Sequence, residues 1–190
     1  MKLKQLATAA ILATLSFSQA QAADYVIDTQ GTHASIMFRV KHLGYSWLTG
    51  RFDGFNGSFT FDASAPEKSS VKVEIDTTSV NSNHAERDNH LRSADFLDTG
   101  KFPTASFVSK SMAVTGETAV ITGDLTLHGV TKEITIDAEL IGEGKDPWGG
   151  YRAGFIGTTS LPMADYGMVF NLGPASTNVE MTLNIEGVRQ

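Results

Sequence analysis

"ASIMFRVKH", Ala34–His42, decides the fold. Ile36, Phe38, Val40 and His42 fall on one side of an extended chain, and Ser35, Met37, Arg39 and Lys41 on the other. That is a strand with one dry and one wet face. The same period of two recurs outward from it. "VKVEI" sets Val71, Val73 and Ile75 against Lys72 and Glu74. "EITIDAEL" aligns Ile134, Ile136, Ala138 and Leu140, and "NVEMTLNIEG" aligns Val179, Met181, Leu183 and Ile185. Further strands are expected in "RFDGFNGSFTFD", "ASFVSKSMAV", "TAVITGDLTL" and "YRAGFIGTTSL". Gly50, Gly54 and Gly57 inside one such run predict a bulge or sharp bend.

Short turns rich in Gly and Pro separate the runs, such as "SAPEK", "HGV" and "GKDPWGG". No alternation of strands with helices is present, so the fold class is all-β, an antiparallel barrel or a sandwich. About eight strands with free edges would invite aggregation, and closure removes edges, which favours the barrel. One segment departs from the pattern. "NSNHAERDNHLRSADFLDTGKFP", Asn81–Pro103, predicts a short helical segment near residues 84–97, with Asn83 and Glu86 as a capping box. Glu86 with His90, and Asp88 with Arg92, stand four apart as candidate ion pairs.

The first residues read differently. Lys2 and Lys4 precede an apolar run from Leu6 to Phe17, and Ala20-Gln21-Ala22 offers a small-x-small cleavage site. Residues 1–22 are expected to be a cleaved secretory signal peptide. The run is too short for the roughly 20 apolar residues of a spanning helix, so no stable membrane insertion is expected. The remaining residues 23–190, of 190 in the chain, suit a single domain. Losing Lys2 and Lys4 takes the net charge from −6 to −8. Nucleic acid is excluded as a partner by that sign, and anionic membrane surfaces are disfavoured. The chain has no Cys, so packing alone must stabilise an exported fold.

Chemistry-bearing groups are sparse. His84 and His90 are six apart, which on a helix turns them about 120° from each other, so no zinc-binding face forms. No nucleophile elbow and no phosphate-cradling Gly loop occurs, and no catalytic residue and no metal ligand is assigned. A closed eight-stranded sheet holds either a packed core or one small ligand, and periodicity does not separate the two.

Five stretches carry a resemblance: "FRVKHLGYSWLTGRF" (Phe38–Phe52), "NHAERDNHLRSADFLDTGKFP" (Asn83–Pro103), "ITGDLTLHGVTK" (Ile121–Lys132), "DPWGGYRAGF" (Asp146–Phe155) and "LGPAS" (Leu172–Ser176). In their order and spacing the chain resembles the YceI family, the polyisoprenoid-binding-like exported bacterial proteins. The resemblance implies a lipocalin-like eight-stranded antiparallel barrel in the periplasm. It also implies a long-chain lipid, with an isoprenoid or fatty-acid-derived tail, held in the lumen without a cofactor.

The dry stripe then names the lumen: Ile36, Phe38, Val40, Phe52, Phe59, Val73, Phe107, Leu125, Ile136, Phe155, Met181 and Leu183. Polar partners for a head group are sought in His42, Tyr45, Trp47, Asp53, Arg87 and Arg92, since Arg engages phosphate in two parallel hydrogen bonds and aromatic rings bridge tail and rim. Competing readings are an enzyme acting on a lipid or quinone-like substrate, a haem-binding redox partner with His42 or His33 as axial ligand, and a filled barrel without ligand. Pairing of two copies into a homodimer through an exposed edge or aromatic rim is compatible with the pattern.

Overall fold

The computed structural model describes residues 22–190. The expected leader over residues 1–22 lies, apart from Ala22, outside them. In chain order the elements are β1 (Ala23–Ile27), β2 (Ser35–His42), β3 (Ser46–Phe52), β4 (Phe55–Phe61), β5 (Ser70–Asp76), β6 (Val80–Asn81), α1 (Ala85–Arg92), β7 (Thr104–Thr115), β8 (Thr118–Leu127), β9 (Val130–Lys145), β10 (Tyr151–Pro162) and β11 (Asn178–Arg189). β1, which the periodicity did not single out any more than β6 or most of β3, alternates buried and exposed residues.

These segments make eight ribbons. β4 pairs with β1 and β5, while β3 pairs with β2 and β6, so β1–β2, β3–β4 and β5–β6 are each one strand with a break. β7 to β11 follow as an uninterrupted meander, all antiparallel. β11 closes the ring, pairing with β2 through Glu180–Asn184 and with β1 through Gly187–Arg189. The expected closed eight-stranded barrel with one short helix is therefore the fold. Closure gives every ribbon a neighbour on both sides, although Ser46–Gly50 of β3 and Ser109–Thr115 of β7 have a strand partner on one side only.

The breaks are local hydrogen-bond solutions. At Asp53–Gly54, the predicted bend, the Asp53 amide donates to Ser79 O and the Asp76 amide to Gly54 O. The Asp76 carboxylate accepts from Thr78 N and caps a 3-10 turn, Thr77–Ser79, between β5 and β6. A bulge at Lys110 shifts the β7–β8 register between Ser109 and Ser111. One extra residue reverses which face points inward. Phe107 is inside before the bulge, and Met112 and Val114 are inside after it. Lys110 meets Asp124 and Glu133 on the outer surface.

α1 departs from its expected details. His84, not Asn83, is the N-cap, its Nδ1 accepting from Arg87 N at 3.3 Å. Asn83 takes a left-handed conformation, φ 61°, and turns the chain into the helix. The proposed i,i+4 ion pairs do not form. His90 Nε2 lies 2.7 Å from Asp95, and Glu86 stands beside His84. Asp88 is buried, accepting from the Ser82 amide and hydroxyl. Burial, the largest single influence, would raise its pKa, but the two Ser82 donors together with the charges of Arg92 and Arg87 outweigh it and hold the carboxyl below its ordinary value.

Candidate functional site: a two-chambered apolar lumen

The inward faces do not meet in the middle. Two chambers lie along the barrel and share Leu161 and Met181 in their walls. The wider one, of about 650 Å³, sits beneath α1, the β2–β3 turn and the β10–β11 loop. The narrower, of about 250 Å³, reaches the opposite end at the β4–β5 connection and the β7–β8 turn. A volume of 650 Å³ falls in the range of about 300–1,000 Å³ usual for ligand pockets.

Ile36, Phe59, Val73, Phe107, Leu125, Ile136, Phe155 and Leu183 line the narrower chamber. Phe38, Val40 and Phe52 line the wider one, and Met181 faces both. Thus all twelve residues of the dry stripe lie on one chamber wall or the other. The stripe named from the sequence left out Ile134, Leu140 and Ile185, which the alternation aligns with it and which also line this chamber. Leu91, Leu97, Met168 and Leu172 had no such signal, because they come from the helical segment and a loop. Gly50 has a packing reason. The Phe38 ring lies against it across the β2–β3 pair, and any Cβ there would collide with that ring.

The polar candidates separate. His42 and Arg87 line the wider chamber, together with Lys41, His90, Asn171 and Ser176. Arg87 is held by Ser82, its Nε donating to the hydroxyl at 2.8 Å and its Nη2 to the carbonyl at 2.6 Å. Tyr45, Trp47, Asp53 and Arg92 line neither chamber. Trp47 is on the outer face, with the Arg39 guanidinium 4.3 Å above its ring. Asp53 accepts from Arg51 and Asn81 and is thereby held below its usual pKa, the Asn81 bond contributing most. Arg92 donates to the Thr78 and Val80 carbonyls, both at 2.8 Å, and so ties α1 to the barrel wall.

The charges at the two ends differ in sign. Every ionisable residue lining the wider chamber is basic: Lys41, His42, Arg87 and His90. Those lining the narrower chamber are acidic, Glu117 and Glu139. Tyr166 lines neither chamber but belongs to the buried cluster that contains Phe107, Leu125, Ile136 and Leu161. Its hydroxyl is buried without a hydrogen-bond partner, and burial pushes its pKa up. The Ser69 hydroxyl at the narrower chamber is likewise unpartnered.

One group of metal-type donors exists among the described residues. Asp28, His33 and Glu186 bring their donor atoms within 4.8 Å of one another. Arg152 already supplies the cation there, with Nη1 2.7 Å from Asp28 and 2.6 Å from Glu186. His33, one of the two axial-ligand candidates, is engaged in this cluster with Asp28 at 3.0 Å. No helix among the described residues is long and apolar enough to cross a membrane.

A family model described as a YceI-like domain matches residues 25–187. The chain belongs to the YceI family. A UPF0312 protein from Pseudomonas paraeruginosa is 59% identical over 178 residues, covering 94% of this chain and 93% of that one. Among solved structures, the YCEI protein of Campylobacter jejuni superposes with a TM-score of 0.72 at 29% identity, over 80% of this chain and 90% of that one. A polyisoprenoid binding domain from Saccharophagus degradans, implicated in plant cell wall breakdown, has a TM-score of 0.65. It is 18% identical and is matched over 90% of this chain and all of that one, which shows a shared fold. The YceI barrel described above is hollow in this chain, and its basic mouth lies under α1.

Proposed function

We propose that this protein is a periplasmic carrier for one long-chain lipid, with an isoprenoid or fatty-acid-derived tail threaded through both chambers. The observation that carries the reading is the lumen itself, lined mainly by apolar residues along its length and by charged or basic residues only at its ends. β10, which spans the barrel in 12 residues, is roughly 40 Å long at ~3.3 Å per residue. An extended tail suits such a tube. Each buried CH₂ contributes about 0.8 kcal/mol. A tail of roughly forty carbons would reach ~30 kcal/mol on that scale, beyond the ceiling of about 18–21 kcal/mol for non-covalent binding. Ordering the chain and incomplete drying offset the excess. The tail therefore dominates affinity and the head group sets orientation. The basic lining of the wider chamber favours a head that is anionic or rich in hydrogen-bond acceptors, beside Arg87 and His42.

Export rests on residues 1–22, with their short cationic start, apolar run and Ala20-Gln21-Ala22. The fold shared with the Saccharophagus degradans domain, described as binding polyisoprenoid, supports the choice of ligand class. Native mass spectrometry of protein recovered under gentle conditions tests the carrier reading. A mass excess of one apolar molecule, lost on denaturation, is expected. Protein that carries nothing and takes nothing up from lipid extracts would refute it.

A further inference from the structure

The lumen opens through an exposed apolar rim. Leu43 and Tyr45 of the β2–β3 turn are 59% and 89% exposed, and Val169 and Phe170 of the β10–β11 loop are 78% and 44% exposed. The two pieces adjoin. Gly44 faces Ala175 closely enough that an added Cβ would stand 3.7 Å from its methyl, and the Ser176 hydroxyl donates to Lys41 O. Phe170 packs on His90 of α1, with ring centroids 5.1 Å apart. Leu43 and Leu172 belong both to this rim and to the wall of the wider chamber, so rim and lumen form one continuous apolar surface.

Charge singles out the same place. Gly167–Thr177 and Leu43–Trp47 contain no ionisable side chain but Tyr45, in a chain of net charge −6. The basic residues beside them are Lys41, His42 and Arg87. The acids of the adjoining segments are paired: Glu86 and Asp95 stand against His84 and His90, Asp165 against Lys132, and Glu180 against Arg39. Exposed apolar residues, a Tyr and a neighbouring Lys are what a bilayer interface accommodates, the rings at head-group depth and the amine on phosphate. The overall negative charge opposes anionic surfaces.

We propose that the rim formed by Leu43, Tyr45, Val169 and Phe170 docks on a zwitterionic phospholipid bilayer, so that ligand passes between the bilayer and the lumen without crossing water. The proposal rests on the lumen reading for its purpose, and its test is separate from it. The two Trp residues report opposite ends: Trp47 follows the β2–β3 turn, and Trp148 is in the β9–β10 turn at the far end of the barrel. Trp148→Phe isolates the first reporter and Trp47→Phe the second.

With vesicles of phosphatidylcholine carrying brominated acyl chains, Trp47 emission should fall at least twofold while Trp148 emission is unchanged. Tyr45→Asp combined with Val169→Asp, both outside the chamber walls, should weaken vesicle binding at least tenfold, yet leave uptake of an apolar ligand from cyclodextrin complexes intact. Normal docking by protein that takes up no ligand supports the docking surface and sinks only the lumen reading. Equal quenching of both reporters, an unquenched Trp47, or binding that ignores the Asp pair overturns the proposal. A dimer that the same pair dissociates, with Trp47 unquenched by vesicles, also overturns it by assigning the rim to a second copy.

Discussion

Arg152 shows how one residue stabilises the seam where the barrel closes. Its guanidinium meets Asp28 and Glu186 through Nη1, and Asp146 through Nε at 3.0 Å. The hydrogen bond from Arg152 is the main reason that the Asp28 carboxyl lies well below the usual carboxylate range, with those from His33 and Gly31 adding to it. The three carboxylates in turn hold the guanidinium more firmly protonated than usual. A depressed folded-state pKa contributes stability that is complete above about pH 4, where the unfolded carboxyl is also ionised. That contribution is lost as the pH falls from there toward the folded value. Arg152→Met should cost about 3 kcal/mol at pH 7, because it leaves carboxylates facing one another without their cation. The gap between wild type and variant should narrow in urea titrations repeated at successively lower pH below about 4. A gap independent of pH would show that Arg152 acts through packing alone. Little of this was legible in the sequence, since only Asp146 is local to Arg152, while Asp28 and Glu186 come from distant parts of the chain with no local pattern linking them.

Among the elements, α1 is the least self-sufficient. Eight residues are too few for a stable isolated helix in water. Little of its surface is apolar, and of its side chains only Asp88 is fully buried. Polar ties hold it instead: Arg92 to the Thr78 and Val80 carbonyls, Arg87 and Asp88 to Ser82. Leu91 adds one apolar contact with the cluster of Phe38, Val80 and Leu97. Arg92→Met should therefore cost about 1–2 kcal/mol. Hydrogen exchange read by mass spectrometry should show faster exchange in Ala85–Arg92 and no change in β7–β11. Uniform acceleration across the barrel would place Arg92 in the global core rather than in a local clasp. The helix was visible in the sequence as a polar interruption of the strand pattern. Its cap was not, because His84 caps only when the ring turns back on Arg87 N, a choice made by the preceding left-handed Asn83.

For the whole molecule, the consequence of a hollow barrel is that added bulk inside it need not strain the core. In a packed interior, an enlarged side chain costs about 1–3 kcal/mol. Met181 stands where the two chambers meet. Met181→Trp should leave chemical denaturation within about 1 kcal/mol of wild type while lowering the amount of co-purified lipid several-fold. Loss of stability with lipid content unchanged would mean that the junction is packed and that no tail crosses it. The sequence by itself determined most of the strands and their inner faces, because a period of two is local, and the cost of open edges favoured a barrel over a sandwich. It also marked the bend at Gly54, where glycines interrupt a strand. The tertiary structure alone decided that the inner faces stand apart, and that His42 and Arg87 reach the lumen while Tyr45, Trp47, Asp53 and Arg92 do not. Alternation says which way a side chain points but not how far away its opposite number is. That distance is set by how many ribbons close the ring and by what the loops lay across its ends.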